Sequence, residues 1–180
     1  AAQMLDAGDG AGSKPQIKII DSKIAAMALG FMAWEAGVMA EQGCDLNTIA
    51  ARVEAIKRNI KAFFLVDNLE YLARGGRLSG MAAAVGSLLQ IKPILHLVKG
   101  RIELLEKSRT KKRAVERILE LFLQDEAMAG KMRAAVIHAD SLPEGTELKQ
   151  MVEKNAPGAE VHVSEFGPVL ETYLGPGALG

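Results

Sequence analysis

YLARGGRLSG, Tyr71 to Gly80, ends one helical pattern, breaks it with paired glycines and sets down Arg77 before the small-residue run MAAAVGSLL begins. Everything before this corner alternates short apolar runs with amphipathic segments, and so does everything after it, which is the rhythm of an α/β protein. A charge placed at such a break between two helical patterns is the first candidate for a functional group.

Upstream, IKII (Ile17 to Ile20) predicts a short buried strand, with Asp21 and Ser22 turning it into a helix. From Ile24 to Ala40 that helix is apolar nearly all round, which places it in the middle of a layered domain. The run is too short, and too rich in Ala and Gly, for a membrane span, and Glu35 interrupts it. Asp45 caps a second helix in which Leu46, Ile49, Val53, Ile56 and Ile60 recur at helical spacing. AFFLV (Ala62 to Val66) reads as a buried strand, and Asn68 caps the helix that leads into Arg74, Gly75 and Gly76.

Downstream of a helix through Met81 and Leu89 comes IKPILHLV, whose Pro93 suits an edge position or a strand's first residues. Lys99-Gly100 is a tight turn into RIELLEK, making a hairpin. Thr110 caps a helix carrying Val115, Ile118, Leu119 and Phe122 on its core face. AAVIHA (Ala134 to Ala139) is a strand, Glu144 to Lys154 a helix and EVHVSE (Glu160 to Glu165) another strand. The closing GPVLETYLGPGALG holds too much Gly and Pro for a long helix. The change to a hairpin near Pro93 divides the chain into two α/β subdomains, residues 1–76 and 77–180, the second with a mixed sheet, and puts Arg77 at a cleft, where ligands most often sit.

Composition narrows the function. Twenty-two Lys and Arg balance 22 Asp and Glu, which argues against a nucleic-acid coat or a membrane-surface protein. A single cysteine, Cys44, permits no internal disulfide and favours a reducing, cytoplasmic setting. The opening AAQML carries no initiating methionine and no basic n-region; it reads as the end of a helix under way in a fragment. GDGAGSKP lacks the Lys that a Walker loop sets directly after its last glycine, and Pro15 blocks the helix start a phosphate would need. His96, His138 and His162 have no partner at metal-ligand spacing, and no serine lies in a G-x-S-x-G elbow, so neither metal nor hydrolytic chemistry is indicated.

Two features remain. In KSRTKKR, Lys107 to Arg113, the cations Lys111, Lys112 and Arg113 fall in the first turn of a helix, where the dipole disfavours them by a few tenths of a kcal/mol. A solvated face and an anionic ligand or partner explain that run equally well. The small apolar region MAAAVGSLLQIKPIL either packs closely or leaves a slot; an apolar slot with Arg77 at its mouth suits a fatty acid, because a guanidinium takes a carboxylate bidentately. Ser79 beside it caps a helix and can donate to the same oxygen.

IIDSKIAAMALG, YLARGGRLSG, LLQIKPIL, KSRTKKRA and GPVLETYLGPGALG, in this order, resemble the DegV family of bacterial fatty-acid-binding proteins across nearly the whole chain. The resemblance implies a two-domain α/β fold whose first domain is incomplete here, and a long-chain fatty acid with its tail buried in the second domain and its carboxylate at the junction. It implies a binding subunit, without catalytic residues or cofactor of its own, that presents the acid to a separate kinase making an acyl-phosphate. By similarity Arg77 lies beside the head group and Arg109 on the basic face near its mouth. The C-terminal tail returns to the cleft, where Tyr173 stands in place of the family's usual His; a phenol donates to a carboxylate but carries no positive charge at neutral pH. The competing readings are a self-sufficient phosphotransferase or hydrolase, and an interaction module built on the basic run.

Overall fold

The computed structural model describes residues 15–78, 91–126 and 132–180. In chain order these form α1 (Ala26–Glu41), α2 (Leu46–Asn59), β1 (Phe63–Leu65), α3 (Glu70–Arg74), β2 (Lys92–Val98), β3 (Arg101–Ser108), α4 (Lys111–Glu126), β4 (Arg133–His138), α5 (Leu142–Asn155), β5 (Glu160–Glu165) and α6 (Pro168–Leu174). The expected helix through Met81 and Leu89 lies outside the described residues.

β1, β2 and β3 run antiparallel in that order, and β4 pairs with β5 in parallel. What joins the two sheets is the end of the chain. Leu179 exchanges backbone hydrogen bonds with Leu65 (2.8 and 3.1 Å) and Gly180 does so with Ile137 (2.8 and 2.9 Å), while Ala139 N–H donates to the Ala178 carbonyl at 2.9 Å. Residues 177–180 thus fill the gap between β1 and β4 and complete one mixed sheet. β1 lies before the expected division at residue 76 and β2 after it, so the sheet runs across that point.

Strand alternation sends neighbouring side chains to opposite faces. Leu65, Ile94, Val136 and Leu179 pack with α4 and α5, through Ile118, Leu119, Leu148 and Val152. Phe64, Leu95 and Ala178 face the other way, onto Leu72 of α3, Phe166 and Leu174 of α6. The sheet is covered on both sides, and each burial stabilises by the roughly 25 cal/mol per Å² of apolar surface removed from water.

The local chemistry behaves as the sequence predicts at the hairpin and at the starts of α2 and α4, whereas α3 has Leu69 at its N-cap position and Asn68 Oδ1 accepts from Glu70 N–H at 2.8 Å. Lys99 and Gly100 have φ of 50° and 82°, the left-handed pair that matches strand twist in a two-residue turn. Pro93 lies at the start of β2, beyond the stretch paired to β1, where its missing N–H costs no bond to that neighbour. Asp45 Oδ1 accepts from the N–H groups of Asn47 and Thr48 at 2.9 and 3.2 Å, and Thr110 Oγ1 accepts from Arg113 N–H at 3.3 Å.

Two expectations fail in the N-terminal part. Ile17 to Ile20 is not a strand: Ile17 and Ile19 are 45% and 70% exposed, and no described strand runs beside them to take their backbone bonds. Asp21 and Ser22 do turn the chain, through Asp21 Oδ1 accepting from Lys23 N–H and Ser22 Oγ donating to the Ile24 carbonyl, but α1 starts later, without a side-chain cap. Nor is α1 at the centre of a layer. Only Met32 is buried, and Leu29 and Trp34 are exposed, because the described residues cover this helix mainly with α2 and the β4–β5 edge.

Candidate functional site

Residues of α1, α2, α4, α5, α6 and the sheet together line a half-open cleft of about 1810 Å³, part of it on the α1–α2 and α6 face. Its walls are largely apolar, with Phe31, Phe64, Leu97, Ile102 and Leu170 among them. The volume exceeds the roughly 300–1,000 Å³ common for small-molecule pockets. Arg77 and Tyr173 both line it, although one follows α3 and the other sits in α6.

The pairing of Arg77 with Tyr173 is built from the backbone outward. α3 ends because Gly76, at φ 69°, takes a left-handed conformation that returns Arg77 N–H to the Leu72 carbonyl at 2.9 Å. The Arg77 side chain then folds back, Nη1 donating to the Gly75 carbonyl at 2.8 Å, and its guanidinium carbon lies 4.4 Å from the centre of the Tyr173 ring. That is cation–π range, worth about 0.5–1 kcal/mol at an exposed position. Among the described residues Nε and Nη2 make no hydrogen bond, and a guanidinium can hold a planar anion side-on through that pair.

The other expected site residues go elsewhere. Ser79 lies outside the described residues. Arg109 is exposed in the turn between β3 and α4 and does not line the cavity; Lys112 and Arg113 are exposed on α4 and do not line it either. Lys111 is turned inward. Its ammonium lies 2.6 Å from Glu144 Oε2, 3.1 Å from the Gly177 carbonyl and 3.5 Å from Asp67 Oδ2, with only 22% of its side chain exposed. The anion that compensates this first-turn cation is therefore internal. Burial works against ionisation of Glu144, yet the hydrogen bonds from Lys111 and from Ser141 Oγ hold its carboxyl below the usual range, against the nearby charge of Asp67.

The sequence reading missed three residues of this corner: Tyr71, Gly75 and Gly175. Their signal was present, since the chain has only two tyrosines and each precedes a glycine by two to four positions. It also missed the polar ring around Glu35, whose carboxylate takes Arg52 Nε at 2.9 Å and Arg133 Nη1 at 3.1 Å and so ties α1 to α2 and β4. The hydrogen bond from Arg52, opposed by burial and aided by Arg133, keeps Glu35 below the ordinary glutamate value. His162 packs against Phe31 and Trp34 beside that ring, while His138 is buried with Nδ1 accepting from Ser141 N–H. Among the described residues no group of three or more His, Cys, Asp or Glu is placed to hold a metal, and no helix is long and apolar enough to cross a membrane.

A mixed sheet covered by helices on both faces, with a largely apolar cleft and an aromatic-backed arginine at its edge, defines the class of α/β protein to which this chain belongs. The model of the DegV family, described as uncharacterised proteins, matches residues 1–180, and the chain belongs to that family. Protein DegV of Bacillus subtilis is 42% identical over 161 residues, 89% of this chain and 57% of that protein. Among solved structures, a fatty-acid-binding DegV family protein from Streptococcus agalactiae superposes with a TM-score of 0.84 at 30% identity, covering 92% of this chain and 59% of the other. The fatty-acid-binding DegV of Bacillus subtilis gives 0.84 at 39% identity, over 98% and 63% of the two chains. The chain spans somewhat more than half the length of the curated relatives it matches.

Proposed function

We propose that this chain carries the acyl-binding part of a DegV-type fatty-acid-binding protein, with the acid's tail in the apolar cavity and its carboxylate at Arg77, and that it presents the acid to a separate fatty-acid kinase. The observation that carries the reading is the Arg77 guanidinium held over Tyr173 at the edge of an apolar cavity. Relatives above 30% identity that bind fatty acids support it. The reading asks for no cofactor: a carboxylate and an alkyl chain need one cation, hydrogen-bond donors and apolar walls. The exposed Arg109, Lys112 and Arg113 are free to meet the kinase or the phosphate it adds, whereas Lys111 is committed to the fold.

Mass spectrometry of lipid extracted from the protein purified out of bacteria, expressed with the segment that completes its first domain, should find a stoichiometric long-chain acid. Arg77→Ala should then weaken binding of a labelled acid about tenfold or more, the value of a charge-assisted hydrogen-bonded pair. An absent acyl chain, together with unchanged affinity in the variant, would remove both ligand and residue from the account. Kinase presentation is a separate arm: acyl-phosphate formation by a bacterial fatty-acid kinase should require the binding protein and fall with Arg109→Ala.

A further inference from the structure

The two glycines of the GGR corner are there for different reasons. Gly76 needs its left-handed backbone, and a Cβ on it would meet nothing. Gly75 has φ −75° and ψ −4°, ordinary right-handed values that any residue adopts. Yet a Cβ there would overlap the Tyr173 ring, reaching Cε1 at 2.7 Å. The reciprocal contact stands beside it: a Cβ on Gly175 would overlap the Tyr71 ring, with Cε2 at 2.7 Å. Each tyrosine of α3 and α6 therefore rests on a glycine of the other segment.

We infer that Gly75 is a positioning residue for the head-group arginine: its missing side chain is the seat of the Tyr173 ring, and that seat fixes the ring beneath Arg77. The same residue holds Arg77 from its other end, through the carbonyl that accepts from Nη1. One glycine thus supplies both the ring's place and the guanidinium's anchor, and among the described residues it is Nε and Nη2 that are left as donors for a ligand. An alanine at position 75 keeps the carbonyl but expels the ring, so the two contributions separate. The link to ligand affinity rests on the fatty-acid reading above; the geometry of the lock does not.

The test uses the full chain and four variants, G75A, Y173A, Y173F and G75A/Y173A, with two readouts. The first is the ring-current displacement of the Arg77 Nε–H proton resonance, which needs no ligand. It should be present in the parent chain and in Y173F, and lost in G75A and Y173A. The second is affinity for radiolabelled palmitate, which should fall about two- to fivefold in G75A and in Y173A alike, the value of one exposed cation–π contact. In G75A/Y173A the overlap is gone, so the double variant should bind as Y173A does and should fold even where G75A alone does not. A ring-current displacement that survives G75A overturns the inference, as does a double variant weaker than either single one. A parent chain that binds no palmitate defeats the functional reading alone, and the resonance then decides the lock.

Discussion

Leu179→Ala should be among the most damaging single substitutions in the chain. Leu179 is 1% exposed and packs with Leu65, Val136 and the α4–α5 side chains, so truncation removes a full buried side chain. The cavity left behind has little chance to collapse, because the backbone around it is held to Leu65 on one side and to Ile137 on the other by hydrogen bonds of 2.8–3.1 Å. Buried Leu→Ala changes cost about 3–5 kcal/mol, with the higher values where the site cannot relax. Against a total of about 5–15 kcal/mol that is a large fraction. Urea denaturation followed by far-ultraviolet circular dichroism should show a lower midpoint with an unchanged slope, since the surface exposed on unfolding is nearly the same. Val169→Ala, at a residue 70% exposed, is the control and should stay within about 0.5 kcal/mol. A loss below about 1 kcal/mol in Leu179→Ala would refute the idea that residues 177–180 hold the two sheets together.

Lys111→Met should cost about 1–2 kcal/mol, because Glu144 and Asp67 lose their shared cation while remaining partly exposed to water, and adding Glu144→Gln should recover part of the loss; no recovery in the double variant would deny the pairing. Glu35→Gln should cost about 1 kcal/mol at pH 7. Glu35 has a folded pKa below its ordinary 4.5, so its contribution is fully present above 4.5 and disappears as pH falls through the folded value; parent and variant should then converge in acid, and a constant gap between denaturation midpoints at pH 7 and pH 3 would contradict this. Gly37→Ala lies within α1, where a Cβ meets no atom of the described residues outside the local helix backbone within 4 Å, and should raise thermal stability by about 0.5–1 kcal/mol; a fall in Tm would show that something covers that face.

How far the fold could be read from residues alone follows from the range of the interactions that set each element. The Lys99-Gly100 turn, the Asp45 and Thr110 caps and the helical stripe of α4 are decided within a few residues, and these are the features the sequence states outright. Ile17 to Ile20 has the composition of a strand, but a strand is made by its neighbour's backbone, which no local pattern supplies. α1 illustrates the same limit for helices: a surface apolar all round says that burial is wanted and not where the cover comes from. Lys111, Lys112 and Arg113 look alike in sequence, and only the arrival of Glu144, Asp67 and the Gly177 carbonyl from three other segments separates the structural cation from its exposed neighbours. Arg77 was visible because a glycine break isolates it, and Tyr173 because the family's pattern has another residue there. Their meeting was implied by the resemblance, and the contact that enforces it, through Gly75, was not.

That meeting has a mechanical basis in the sheet. β1 runs through Asp67 into α3 and so to Arg77, while α6 carries Tyr173 and runs directly into residues 177–180. The two segments are joined twice: side by side in the sheet through Leu65 and Leu179, and again at the α3–α6 contact through Tyr71, Gly75, Tyr173 and Gly175. Two chain segments fixed at both ends cannot slide past one another without breaking backbone bonds in the middle of the sheet. Gly177 makes the point at close quarters, since a Cβ on it would overlap the Asp67 carboxylate that helps to hold Lys111. Exposed Arg77 and half-buried Tyr173 at the cleft edge therefore inherit their order from buried backbone in the middle of the sheet, and a substitution at Leu179 should disturb Arg77 although the two side chains lie on different elements.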